Sequence, residues 1–307
     1  MAKHQKKSKW KWILGITAGV LTLMLVAGGL FVWSMVDEVN DTVTKVNDNL
    51  QISPERKQVE TIEEKRSVSV LLLGIDRRGT EQGRSDSIIV LTLNPDTNEG
   101  AMLSIPRDTK TEIVGRGYRD KINHAYAFGG AEMAMDTVEN FLDIPIDYVV
   151  EADMEAFTEV VDALGGITVM NKFAFTSDEY TFPVGEVTLN GDKALAYTRM
   201  RYDDPNGDFG RQERQRDVVA AIIEKGRSDF SLDKVTNLLD VVGNRAKTNI
   251  EFNELVTLST DYMGAFRNAS TLRIEGGGGL ESDGIYYWNP DADSLDGIKT
   301  ELKRLME

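Results

Sequence analysis

Three observations predict an α/β fold, a sheet covered by helices on both faces, preceded by one transmembrane helix. The first is an uncharged stretch of 24 residues from Ile13 to Val36. The second is a set of three apolar runs, at residues 67–76, 86–95 and 100–108, separated by Gly, Asn, Asp and Pro. These runs are continuous rather than alternating, the pattern of strands buried on both faces. The third is the appearance further along of apolar residues at helical spacing with short strand-like segments between them, an order that mixes α and β.

Taken in order, residues 1–12 carry five lysines and no acid and read as a cytoplasmic tail. As a helix, residues 13–36 would span roughly 36 Å at about 1.5 Å per residue, enough to cross a bilayer. A cleaved signal peptide has a shorter apolar region, of about 7 to 15 residues. Lys3, Lys6, Lys7, Lys9 and Lys11 precede the span while Asp37, Glu38 and Asp41 follow it, which places the N-terminus in the cytoplasm. Trp10, Trp12 and Trp33 suit the two interfaces. The expected topology is therefore a single-pass type II protein of the cell membrane, with everything after Asp37 extracellular. Residues 37–66 are polar and charged and read as a stalk, and the folded domain is expected over 67–307.

Within that domain the three apolar runs are strands. Helices are expected over 122–142, from Met154 with Met154, Phe157, Val161 and Leu164 on one face, and over 210–226. Short strands fit Asp147–Glu151 and Ile167–Met170. Two further helices fit 231–243 and 253–266, followed by a strand near 271–275 and a terminal helix near 294–306. Gly276–Gly279 reads as a flexible turn, because no Lys-Ser/Thr pair and no helix follow to complete a phosphate-binding loop.

Composition narrows the chemistry. The chain has 307 residues, with 35 Lys and Arg against 50 Asp and Glu, a net charge of −15. So acidic a chain argues against a nucleic-acid partner, which needs basic faces. A DNA-reading regulator is further disfavoured by a cytoplasmic part of only twelve residues. There is no cysteine, which excludes thiol nucleophiles, disulfides and Cys-built zinc sites. With only His4 and His124, neither a Ser-His-Asp triad nor a multi-His metal site is well supplied, and His124 reads as a structural or helix-terminus residue.

Against this acidic background, arginines gather in three places. If the first three strands are antiparallel neighbours, Asp76 at the end of the first, Asp86 at the start of the second and Arg107 at the end of the third meet at one sheet edge. The loop between the first two adds Arg77, Arg78 and Arg84. Two strand-end aspartates suit a hard divalent cation, Mg²⁺ or Mn²⁺, since Mg²⁺ takes one or two carboxylates and completes its shell with water and phosphate oxygens. A second group is Arg199 and Arg201, which extended backbone would point to the same side. In the third, Arg211, Gln215, Val218 and Ile222 share one helix face, so Arg211 and Gln215 are expected to point inward. Their helix begins near Asp208, where the helix N-terminus favours an anion. Arg214 and Arg216 are weaker candidates, and Arg216 reads as part of a solvated face. One explanation for all three groups is a bound diphosphate, whose oxygens match the planar guanidinium fork. Internal pairing of the arginines with the many acids is the other, and spacing leaves both open.

The segments LLLGIDRRGTEQGRSDSIIVLTLNP, AMLSIPRDT, RDKINHAYAFGG, LGGI and LNGDKALAYTRMRYDDPNGDFGRQERQR, behind a single membrane helix, resemble the LytR-CpsA-Psr family over residues 67–230. The resemblance implies a three-layer α/β/α domain with a mixed central sheet. It also implies a phosphotransferase that moves an anionic glycopolymer, such as wall teichoic acid, from a polyprenyl diphosphate carrier to a peptidoglycan hydroxyl. By that resemblance Asp76 and Asp86 are the Mg²⁺-associated aspartates, and Arg84, Arg107, Arg199, Arg201, Arg211 and Gln215 bind the diphosphate. Asp86 and Arg107 are the expected catalytic pair, and Arg119 and Lys121 lie at the rim. The carrier's isoprenoid tail would need a groove, for which Phe128, Met133, Met135 and Phe141 are candidates against ordinary core packing. A hydrolase of the same lipid, or a non-catalytic polymer-binding anchor, are the competing functions. Residues 231–307 carry no motif.

Overall fold

A computed structural model of the chain describes residues 50, 52–53, 66–76, 83–201, 204–228 and 246–307. The expected cytoplasmic tail, the membrane helix, most of the stalk, Arg77, Arg78 and the helix at 231–243 lie outside the described residues.

The three apolar runs form β1 (Val68–Asp76), β2 (Arg84–Asn94) and β3 (Glu99–Ser104), and they are antiparallel neighbours as expected. The tight β2–β3 turn follows from Asn94, whose Oδ1 accepts from the backbone N–H of Asp96 and Thr97 at 3.1 Å each. An Asn side chain that mimics a backbone turn in this way is a common hairpin device. Strand β6 (Tyr148–Asp153) adds parallel to β1, β11 (Ala246–Thr248) pairs antiparallel to β6, and β12 (Ala269–Leu272) adds parallel to β3. The sheet is thus mixed, in the order β11-β6-β1-β2-β3-β12.

Alternate residues of these strands face two different helical layers. Leu71, Leu73, Ile75, Val90 and Leu103 pack with Met135, Val138 and Leu142 of α1 (His124–Leu142) and with the terminal helix, which carries Leu302 and Leu305. Val68, Val70, Ile89, Leu91 and Met102 pack on the other side with Tyr262 and Ala265. Those two residues belong to the segment of α5 (Phe252–Asp261) and α6 (Met263–Arg267), which reads in the sequence as one helix and divides at Tyr262. The terminal helix, α7, runs Ala292–Met306.

A third apolar cluster sits beside the sheet. It joins α2 (Met154–Ala163), the pair β7 (Ile167–Asn171) and β10 (Gly185–Leu189), the small hairpin β8 (Phe175–Ser177) and β9 (Tyr180–Phe182), α3 (Gly191–Arg199) and α4 (Asp208–Ser228). Val161, Phe175, Phe182, Leu189, Tyr197 and Val218 are its centre. Burial there pushes the Tyr197 phenol up to about 12. Strand β7 matches the strand expected at Ile167–Met170, while β8, β9 and β10 have too few alternations to be read from sequence.

Several expectations are corrected. Leu50 and Ile52, inside the segment read as stalk, are buried in the main core, and the Ser53 N–H donates to Glu132 Oε2 at 3.2 Å. Helix α1 is broken at Gly129 and Gly130; Gly130 takes φ +67°, which an L side chain rarely adopts. Arg199 closes α3 instead of lying on extended backbone, so it does not share a strand face with Arg201. Gly276–Gly279 is no turn: β13 (Gly276–Leu280) pairs antiparallel with β14 (Tyr286–Pro290). Of the four candidate groove residues, Met135 and Phe141 belong to the core, Met133 is half-buried and Phe128 is exposed.

Two stability outcomes follow from this packing. Leu302→Ala removes a fully buried side chain between sheet and helix and should cost about 2–5 kcal/mol in denaturant melts. Asp217 on α4 has its carboxyl raised, chiefly by burial, with Lys172 acting in the opposite direction. The folded state then holds its proton more tightly than the unfolded one, so this group's contribution falls as pH rises through the interval between the two values and stays low above it. Asp217→Asn should melt higher than the natural protein at neutral pH, and the gap should close in acid below the ordinary carboxylate range.

Candidate active site

The site is built where β2 begins. Along β1 and β2, Asp76 faces Arg84 and Ile75 faces Ser85, but Gly74 faces Ser87, so Asp86 is the extra residue of a bulge. Bulges commonly re-aim a side chain at a sheet rim. Here the Asp86 carboxylate meets Arg107, which follows β3: Arg107 Nη1 donates to Asp86 Oδ2 at 2.6 Å. Arg107 Nε lies 3.7 Å from Asp108 Oδ2, and Asp108 Oδ1 lies 2.8 Å from Lys121 Nζ. A chain of alternating charges therefore runs from Asp86 through Arg107 and Asp108 to Lys121.

Backbone hydrogen bonds hold the Arg107 turn from several sides. The Thr109 N–H donates to Pro106 O, Ile122 N–H to Thr109 O at 2.8 Å and Asn123 N–H to Arg107 O at 3.3 Å. Residues 122 and 123 follow the hairpin of β4 (Lys110–Glu112) and β5 (Arg119–Lys121). From the C-terminal region, the Trp288 N–H on β14 donates to Asp108 O at 2.9 Å. Lys110 pairs with Glu281, and the Tyr287 ring lies 4.6 Å from Lys110 Nζ.

Helix α4 supplies the other wall. Ser87 Oγ, next to Asp86, donates to Gln215 Oε1 at 3.1 Å. One turn earlier, buried Arg211 donates through Nε to Asp208 Oδ1 at 3.0 Å, and its Nη2 lies 2.8 Å from the same oxygen. Arg201 Nε is 3.6 Å from that oxygen as well. The inward face read from the spacing of Arg211, Gln215, Val218 and Ile222 is thus present.

The expected residues are brought together in part. Asp86, Arg107 and Lys121 form one linked set and Arg201 with Arg211 another; Ser87, next to Asp86 in the chain, bonds Gln215, which lies one helical turn beyond Arg211. Asp76 is half-buried opposite exposed Arg84. Exposed Arg199 lies against Met154, with Nη2 3.3 Å from Sδ, and Arg119 donates to Lys110 O within its own hairpin. His124 starts α1, its Nδ1 2.7 Å from Asp120 Oδ2, in keeping with a helix-terminus residue.

Among the described residues no group of three or more His, Cys, Asp or Glu side chains forms a metal cage. The carboxylates carried at this strand edge are those of Asp76, which ends β1, and Asp86, in the bulge of β2. Two carboxylates fit Mg²⁺, which leaves most of its shell to water and ligand phosphate, and do not fit an ion that needs an all-protein shell.

Three participants were missed or misjudged in the sequence. Asp108 carries no spacing signal beyond standing next to Arg107. Arg216, read as solvated, is half-buried and donates to Ser104 Oγ on β3 at 2.8 Å; burial lowers its pKa. Arg214 is more deeply buried still. It pairs with Asp204, donates to Tyr197 O at 3.0 Å and to Met200 O, and lies among the rings of Phe173, Phe175 and Tyr197. The Asp204 carboxylate in turn sits so close to Gly210 that a Cβ there would meet it at 2.0 Å. Arg214 thereby ties α3, Met200 and Asp204 to α4. Arg214→Ala would strand the Asp204 charge in the interior and should cost about 3–5 kcal/mol. Arg214→Lys should not restore it, since one ammonium cannot reach three acceptors in a plane. Chemical denaturation with each variant checks both.

A profile described as the LytR_cpsA_psr family matches residues 33–304. The polyisoprenyl-teichoic acid–peptidoglycan teichoic acid transferase TagU of Bacillus subtilis strain 168 is 44% identical over 305 residues, covering 99% of each chain. The TagU of Bacillus licheniformis is 45% identical over 301 residues, covering 98% of each. The crystal structure of B. subtilis TagU superposes with a TM-score of 0.67 at 48% identity, over 79% of this chain and 98% of that one. Similarity that runs through both the ordered motifs and the fold leads to one conclusion: this chain belongs to the LytR_cpsA_psr family.

Proposed function

We propose that this protein is a phosphotransferase that moves an anionic glycopolymer of the wall teichoic acid type from a polyprenyl diphosphate carrier to a peptidoglycan hydroxyl, releasing polyprenyl phosphate. The observation that carries the reading is the junction at Asp86 and Ser87, where one bulged strand end meets both Arg107 and the Arg211–Gln215 face of α4. Near full-length similarity to proteins named as teichoic acid transferases supports it.

In this mechanism Arg107, Arg201 and Arg211 bind the diphosphate oxygens, Gln215 lines the same wall, and Arg84 and Arg199 close over the ligand from their exposed positions. Arg119 and Lys121 form the rim. The glycan hydroxyl attacks the sugar-linked phosphorus as its proton passes to solvent, and the bond to the bridging oxygen breaks, the electron pair leaving with polyprenyl phosphate. The guanidiniums neutralise the charge that builds up on the phosphate oxygens, which is the main source of rate in phosphoryl transfer. Asp76 and Asp86 would hold Mg²⁺ or Mn²⁺, which when bound supplies further neutralisation of the diphosphate. The helix read at 13–36 would keep the domain at the outer face of the membrane where the lipid carrier resides.

The test is to incubate the full chain in detergent micelles with lipid-linked polymer, with and without peptidoglycan oligomers. Polymer joined to the oligomers is the expected product. Release of free polymer at the same rate without oligomers would make the protein a hydrolase instead. Arg107→Ala should lower transfer by about 10³ while leaving the melting transition in place, because this half-exposed pair contributes little to stability. Unchanged transfer by Arg107→Ala would point to a binding anchor.

A further inference from the structure

Asn123 is placed at the head of α1, where an Asn side chain ordinarily caps the helix by accepting a backbone N–H. It makes no such bond here. Its side chain is also almost wholly enclosed, at 4% exposure, and its Oδ1 has no hydrogen-bond partner among the described residues. The acceptor that would make the cap is thus left without a partner among those residues, which is unusual for a buried amide. What the side chain does instead is turn Nδ2 toward Asp86 Oδ1, at 3.5 Å. The opposite amide orientation would set two acceptors against each other and bury the NH₂ without a partner.

We propose that Asn123 is a positioning residue for Asp86. The Asp86 carboxylate is addressed at both oxygens: Arg107 takes Oδ2 and Asn123 faces Oδ1. Rotation about the carboxylate's own axis is thereby restricted, and the direction in which its remaining lone pairs face a cation or a diphosphate is set. The backbone of Asn123 is coupled to the same unit, since its N–H donates to Arg107 O. Supporting partners of this kind typically change metal affinity or activity by about 10- to 100-fold when removed. The inference rests on the function proposed above and adds a residue to its machinery.

Two variants test it in the full chain. Asn123→Leu keeps the volume and removes the donor. Asn123→Asp keeps the shape but replaces the donor with a second carboxylate facing Asp86 Oδ1, the strongest disturbance of that carboxylate that the site can be given. Asn123→Leu is expected to melt at or above the temperature of the natural protein, and both variants to lose about 10-fold or more in kcat/KM for the lipid-linked donor and to bind inorganic pyrophosphate with Mg²⁺ about 10-fold more weakly by calorimetry. Variants that transfer polymer and bind Mg²⁺–pyrophosphate as the natural protein does would overturn the proposal, as would a loss that merely tracks the folded fraction. If the natural protein bound Mg²⁺–pyrophosphate but transferred no polymer, the transferase reading would fail, and a weakened pyrophosphate affinity in the variants would still establish the role of Asn123.

Discussion

A fold that withdraws guanidinium groups from water must give them anions or other acceptors before any ligand arrives, because an uncompensated buried charge is prohibitively costly. This domain meets that constraint with aspartates close in sequence to the arginines they serve. Asp108 adjoins Arg107, Asp208 stands one helical turn before Arg211, and Asp204 is in the loop that leads to Arg214. The degree of enclosure then separates the roles. Arg214 and Asp204 are sealed off with further backbone acceptors, and together they act as a structural rivet. Arg107 and Arg201 keep about a third or more of their side chains in solvent, at 31% and 44%, where a further anion can reach them.

That distinction explains what could be read from the sequence. The apolar runs at 67–76, 86–95 and 100–108 and the helix at 210–226 have enough residues for their periodicity to be unambiguous, and each is present. The meeting of Asp86 with Arg107 follows from the antiparallel pairing of the first three strands, which short connections nearly dictate. The inward face of Arg211 and Gln215 follows from a four-residue spacing that ends on Val218 and Ile222. Arg214 follows no such rule: its burial comes from contacts with Asp204, with the backbone of Tyr197 and Met200 and with the rings of Phe173 and Phe175, a tertiary event with no local pattern. Asn123 was equally hidden, since an Asn before a helix looks like a cap until its side chain is seen turned away. The division of α1 at Gly129–Gly130 overrides a hydrophobic spacing that runs through it without a break.

The C-terminal region shows the same limit from another side. Residues after 231 carry no recognisable motif, yet they complete the sheet through β12, cover one face through α7 and reach the Arg107 turn through β14. Their contribution is backbone and shape, which leave little trace in residue identity.

The bond from the Trp288 N–H to Asp108 O has a temporal meaning. A polypeptide emerges from synthesis N-terminus first, and contacts between distant positions form late. Both strands and the turn that present Arg107 exist long before the segment that clamps them does. The reactive centre is therefore finished only when nearly the whole chain has been delivered, so that a domain interrupted partway would hold its charged groups without holding them in register.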